Sequence, residues 1–339
     1  MKNEQFLTEL LSEISVSGQE EESLSKVAAH MEPYADEIRR DELGDVVCVL
    51  NPEKTPRILA AAHGDEIGLM VHYISEEGYL YVTSRGGFPP QLYLGHQVKV
   101  LTDRGILYGT VVFSRELLEK KDLKVKELSI DIGARDKEDA AAKVSLGDVV
   151  VFDSQIRTLA NGRFSARALD DRLGVFIVME AFKRAKERGT QNGVYCAATA
   201  GEETSQHGAY FTAARVEPDV AIVVDVTWAS DYPGTDPKDT GEVALGKGPV
   251  LCNAPIIPRW LNQRLLDCAK KAGVEVQMES AARMTSTDGD RIHLAGKGIP
   301  MALISIPLRY MHTPGETADW RDVEGCIALL AEFLVNAYE

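Results

Sequence analysis

Ile58-Leu59-Ala60-Ala61-Ala62-His63-Gly64-Asp65 holds the key to the fold. Five apolar residues without alternation describe a strand covered on both faces, as at the centre of an α/β sheet. A histidine and an aspartate stand where that strand must end. In open α/β sheets ligands gather outside the carboxyl ends of the strands, so the residues just past the other buried runs matter as well. Val194-Tyr195-Cys196-Ala197-Ala198-Thr199 leads to Glu202 and Glu203, Val220-Ala221-Ile222-Val223-Val224 is closed by Asp225, and the run 300–306 is succeeded six residues later by His312. Groups remote in sequence would then converge at one edge of one sheet.

Around these runs the chain reads as helix and strand in alternation. Phe6, Leu7, Leu10, Leu11 and Ile14, then Leu24, Val27, Ala28 and Met31, recur at helical spacing, and Val46-Val47-Cys48-Val49-Leu50 begins the sheet. From 67 to 163 the text changes to short alternating runs broken by turn signals such as Gly86-Gly87-Phe88-Pro89-Pro90 and Asp103-Arg104-Gly105. Helices are expected again over about 170–188, about 259–272 and from about 322. The reading is an α/β catalytic domain in two parts, 1–66 and 164–339, with a mixed central sheet flanked by helices, interrupted by a smaller β domain at 67–163.

A surplus of 52 acidic over 37 basic residues gives a net charge near −15, which repels phosphate backbones and anionic membranes, so neither nucleic acid nor membrane is an expected partner. Cys48, Cys196, Cys252, Cys268 and Cys326 are scattered singly and read as reduced core thiols. The start Met1-Lys2-Asn3-Glu4-Gln5-Phe6 lacks the apolar stretch of a secretory signal, and no run of 18 apolar residues occurs. A cytoplasmic protein is expected.

Histidine and carboxylate side chains are the ligands that zinc, cobalt and manganese accept, which makes His63, Asp170, Glu203, Asp225 and His312 candidate metal ligands. Asp65 is placed to orient His63, since a metal-bound imidazole donates its other N–H to an acceptor that fixes its tautomer. Each residue also has a plain structural reading. Asp170-Asp171 suits the positive end of a helix dipole, Glu202-Glu203 is one of several acidic pairs, Asp225 could cap the turn at Thr227-Trp228, and His312 before Thr313-Pro314 could belong to an ordinary loop. Arg167, Arg259 and Arg309 either select an acidic substrate residue or form structural ion pairs.

Taken in order, Ala62-His63-Gly64-Asp65-Glu66-Ile67-Gly68, Ala168-Leu169-Asp170-Asp171-Arg172-Leu173-Gly174, Glu202-Glu203, Asp225-Val226-Thr227 and Arg309-Tyr310-Met311-His312-Thr313-Pro314 resemble the tetrahedral aminopeptidase family of cocatalytic metallopeptidases. That family includes glutamyl and deblocking aminopeptidases, and some members have been labelled endoglucanases. The resemblance spans nearly the whole chain. It implies a zinc-peptidase-like fold with an inserted β-barrel-like domain used in dimerisation, and dimers assembled into a hollow dodecamer. It also implies two divalent ions per chain, His63 and Asp225 on one, Glu203 and His312 on the other, Asp170 bridging, Glu202 as general base and Asp65 as partner of His63. Gly64 stands where methionine is common, Thr204-Ser205 replaces Val-Gly, and Thr285-Ser286-Thr287-Asp288-Gly289 departs from Gly-Gly-Thr-Asp-Ala.

The expected activity is removal of N-terminal residues from peptides by a water activated between two metals, with Glu202 moving its proton. A deacylase of small N-acyl substrates would use the same chemistry and is the alternative. Glycoside hydrolysis needs two carboxylates and no metal, and three tryptophans (Trp228, Trp260, Trp320) offer little for stacking sugars. A scaffold with structural metals would have no use for a base beside its ligands.

Overall fold

The computed structural model describes residues 4–337, so the first three residues of the start read above and the last two of the chain lie outside the described residues. A mixed sheet of eight strands runs in the order Glu37–Arg40, Val46–Leu50, Gly193–Thr199, Arg57–His63, Val220–Trp228, Met301–Leu308, Val250–Asn253 and Gln277–Ser280. The four strands Gly193–Thr199, Arg57–His63, Val220–Trp228 and Met301–Leu308 are mutually parallel. They are also almost wholly buried, which is why their sequences are apolar without alternation. The helices Leu169–Glu187 and Trp320–Asn336 pack on each other and on the sheet, and His207–Val216 packs on Gly193–Thr199 and Arg57–His63.

Register brings the carboxyl ends together. Thr199 lies opposite His63, Val223 opposite Ala61 and Asp225 opposite Ser305, so Asp225 stands level with His63 one strand away. The Val220–Trp228 strand continues three residues past Asp225, and Asp225 accepts from the backbone N–H of Val226 at 2.7 Å; it caps no turn.

Between the Arg57–His63 strand and the Leu169–Glu187 helix the chain forms a closed six-stranded barrel. Its order is Gly68–Ile74, Leu80–Arg85, Ser129–Asp131, Gly105–Val111, Gln97–Thr102 and Val149–Phe152, with antiparallel pairing throughout. Alternate residues such as Val98 and Val100 fill its interior with Val71, Leu80, Val82 and Ile130, a core separate from that of the main sheet. The α/β fold with an inserted β barrel, expected from the sequence, is the fold observed.

The periodicity did not foretell a three-stranded sheet in which Arg157–Thr158 pairs with Arg163–Ala166, and Arg163–Ala166 with Glu316–Asp319. It carries the 309–316 segment to the entrance of the Leu169–Glu187 helix. Ala168 there adopts a left-handed φ of 57°, and Asp170 (φ −80°, ψ 107°) and Asp171 (φ −122°, ψ 33°) depart from helical geometry. Their carboxylates are therefore not ordinary first-turn acids of a helix dipole. All five cysteines are free and buried. Among the described residues no helix is long and apolar enough to cross a membrane.

Candidate metal centre

His63, at the end of its strand, is only 2% exposed. Its Nδ1 faces two acceptors of Asp65, the backbone carbonyl at 3.2 Å and Oδ1 at 3.4 Å, so Nδ1 carries the proton and Nε2 is left for the site. That Nε2 lies 3.2 Å from Asp170 Oδ1 and 3.9 Å from Glu202 Oε2. His312 repeats the arrangement from the other side. Its Nδ1 donates to the carbonyl of Gly87, in a loop of the barrel, at 2.6 Å, and its Nε2 lies 3.1 Å from Asp170 Oδ2 and 3.4 Å from Glu203 Oε1. Asp170 thus offers one carboxylate oxygen to each histidine.

Donor atoms of His63, Asp170 and Glu203 lie within 4.8 Å of one another, as do those of His63, Asp171 and Asp225. The structure therefore gathers all five candidate ligands, with Glu202 and Asp65 beside them. Two imidazole Nε2 atoms turned into the site, with buried carboxylates on either side of a shared one, form a donor set that divalent cations accept in place of protons. Asp171 Oδ2 is buried without a hydrogen-bond partner, which a nearby cation would compensate.

Residues 44–329 match the M42 glutamyl aminopeptidase family. The chain belongs to this family. It is 32% identical over 340 residues to a lysyl aminopeptidase of Pyrococcus furiosus, covering 97% of this chain and 96% of the relative. A TET aminopeptidase from a marine sediment thaumarchaeon superposes with a TM-score of 0.92 at 35% identity, over 99% of this chain and 96% of that one. The TET1 peptidase of Pyrococcus horikoshii, which can assemble into a tetrahedron or a large octahedral shell, superposes with a TM-score of 0.86 at 31% identity, over 98% and 99%. The protein is an aminopeptidase, a peptide hydrolase.

Several residues of this M42 aminopeptidase hold the site in place. Asp65, fully buried, accepts from the backbone N–H groups of Glu202 and Glu203 at 3.0 and 3.1 Å and from Ser17 Oγ at 2.5 Å. One carboxylate therefore positions His63 and both glutamates. The turn into Glu202 uses Gly201 at φ +71°, where a Cβ would meet the His207 ring at 2.2 Å. At Gly64 a Cβ would lie 2.6 Å from Leu24 Cδ2, so a leucine of the Glu21–Met31 helix packs tightly against the glycine that follows His63.

Four supporting residues escaped the sequence reading. Glu316, on the non-local sheet, accepts from the backbone N–H of His312 at 2.8 Å and of Asp170 at 3.2 Å. Gln206 donates to Glu202 Oε1 and to the carbonyl of Thr287, both at 2.9 Å. Ser17 holds Asp65, and Asp171 faces Asp225. Two left a trace: Asp171, read only as a helix-dipole acid beside Asp170, and Glu316, an acid four residues beyond His312. Arg167 and Arg309 proved to be structural. Arg167 is buried against Glu66, and Arg309 holds Asp231 through Nε and Nη2 at 2.8 and 2.6 Å.

The electrostatics are those of crowded buried acids. Burial opposes charge on His63, but Asp170 and Asp65 outweigh it and hold the imidazole well above its ordinary pKa. His312, less buried and so less disfavoured, is pushed up to about 11 by Asp170 and Glu203. Asp170, between the two histidines, is lowered despite its burial. Burial raises Asp225, with His63 opposing and Asp170 adding, and burial with the nearby Asp225 raises Asp171. Glu202 is pushed up to about 8 by burial, with His63 opposing and Asp288 adding. These carboxylates call for positive charge, which protons on the histidines or bound cations would supply.

Proposed function

We propose that this aminopeptidase removes N-terminal residues from peptides with two divalent ions, zinc first and cobalt or manganese by the same ligand chemistry. His63 and Asp225 would hold one ion, Glu203 and His312 the other, and Asp170 would bridge them. The observation that carries this reading is Asp170, whose two oxygens face different histidines, each with a further acid beside it. Ions so placed lower the pKa of water and polarise a carbonyl.

The protein's own contribution is positioning and proton transfer. Glu202, fixed at Oε1 by Gln206, takes a proton from water at its other oxygen and returns it to the departing amine. Asp65 keeps His63 in the tautomer that leaves Nε2 free, and it holds Glu202 and Glu203 by their backbones. Asp65→Asn removes the negative acceptor, so affinity for zinc should fall about 10–100-fold. Bound zinc at limiting concentrations measures this, and unchanged binding would remove Asp65 from the role.

The barrel is the dimerisation domain in this reading, and dimers assemble into a dodecamer, as the dodecamer of a TET1 relative at 30% identity suggests. Five buried free thiols support a cytoplasmic location.

The test is hydrolysis of free and N-acetylated aminoacyl substrates after metal removal and titration with zinc or cobalt. Activity should vanish on removal and return near two ions per chain, on free-amine substrates only. Equal cleavage of acetylated substrates would replace the reading with the deacylase one, and no recovery with either metal would overturn it.

A further inference from the structure

Near the centre, Glu279 projects from the edge strand Gln277–Ser280, and its Oε2 accepts from Thr227 Oγ1 at 2.6 Å while Oε1 accepts from Ser305 Oγ at 3.4 Å. Those two hydroxyls bracket Asp225. Ser305 is its partner on the neighbouring strand, and Thr227, two residues further on, shares its face. With strands about 4.8 Å apart and a rise of about 3.3 Å per residue, the Glu279 carboxylate sits roughly one side chain's length from Asp225. Beyond Ser280 the chain reaches Thr287, whose carbonyl accepts from Gln206, the residue that holds Glu202. The chain that leaves the Glu279 strand therefore returns to the residue that holds Glu202.

Among the described residues no ion pair includes Glu279, whereas Arg167 and Arg309 are already committed to Glu66 and Asp231. Burial raises the Glu279 carboxyl, and its two hydroxyl donors only partly offset this. A half-buried carboxylate without a counter-charge carries a desolvation cost that a cationic ligand would relieve. Tyr310, two residues before His312, leaves ring surface exposed, suited to the aliphatic stem of a long cationic side chain.

We propose that Glu279 reads the side chain of the substrate's N-terminal residue and that the enzyme prefers lysine or arginine there. This rests on the aminopeptidase reading of the adjacent site. Because the counter-charge of a desolvated pair is removed, Glu279→Gln should lower the ratio of lysyl to leucyl kcat/KM about 30-fold or more, with the leucyl substrate still cleaved. Glu279→Lys should shift preference toward glutamyl substrates.

The experiment measures kcat and KM of the metal-loaded full-length enzyme and both variants on lysyl, arginyl, leucyl and glutamyl p-nitroanilides. A wild-type preference for basic residues that both variants abolish supports the proposal. An unchanged lysyl-to-leucyl ratio in Glu279→Gln overturns it while leaving the aminopeptidase intact. A wild-type preference for glutamyl substrates also overturns it and points to Arg283, exposed on the same segment. Failure of the wild type to cleave any of the four overturns both readings.

Discussion

Glu202→Gln should retain its metal and lose turnover by about 10²–10⁴-fold, the range expected when a positioned acid–base group is removed. The substitution is nearly isosteric, and a glutamine oxygen can still accept from Gln206, which now donates to Glu202 Oε1 at 2.9 Å. Glu202 is not among the proposed ligands, and its Oε2 stands 3.9 Å from His63 Nε2, near the site without displacing Asp170. What the variant lacks is a site that accepts and returns a proton. The loss should fall on kcat, with bound metal and KM for a free-amine substrate little changed. Retained turnover at full metal occupancy would remove Glu202 from the mechanism, whereas lost metal would make it a ligand.

Glu66→Gln should destabilise the fold by about 3–5 kcal/mol, the cost of breaking a buried ion pair by removing one partner. Glu66, Arg167 and Arg172 are 3%, 4% and 1% exposed. Arg172 Nη2 lies 2.6 Å from Glu66 Oε1, and Arg167 pairs with the same carboxylate. Arg172 also donates to the carbonyls of Leu10 and Glu13 at 2.9 and 2.8 Å and to Ser15 Oγ at 2.8 Å, so the network clamps the end of the first helix to the turn that bears His63 and Asp65. A neutral side chain at 66 would leave two buried guanidinium groups without their anion. Burial works against charge on Glu66, yet the two arginines hold its pKa below the ordinary 4.5. A lowered pKa contributes stability that is present above the unfolded value and lost as pH falls through the folded one. Denaturant unfolding should therefore show the wild type losing part of its advantage over Glu66→Gln below about pH 4.5. Equal stabilities at pH 7 would mean that the arginines find other partners.

Much of this site was legible because its parts stand at the ends of strands whose burial is written in consecutive apolar residues. His63 after Ala60-Ala61-Ala62, Asp225 after Val223-Val224 and the Glu202-Glu203 pair beyond Thr199 could be placed on one sheet edge from that pattern alone. The barrel was visible as a change from continuous to alternating apolar runs. Harder to read were contacts between short segments far apart in sequence. The pairing of Arg163–Ala166 with Glu316–Asp319 joins pieces about 150 residues apart, and four-residue strands carry too little pattern to announce a partner. With that sheet went the role of Glu316, which holds the backbones of Asp170 and His312.

The sequence alone announced the α/β fold and the interruption by a β domain, and it put His63, Glu202, Glu203 and Asp225 at or just past the ends of buried strands, since hydrophobic periodicity is a local property that propagates into topology. Only the tertiary structure decided that Asp170 faces both histidines, that Asp65 anchors Glu202 and Glu203, that Gly87 of the barrel orients His312, and that Arg167 and Arg309 are spent on ion pairs. Those outcomes depend on hydrogen-bond and charge partners supplied by distant segments, and a side chain's partner is set by where the backbone brings its neighbours, not by the residues next to it in the chain.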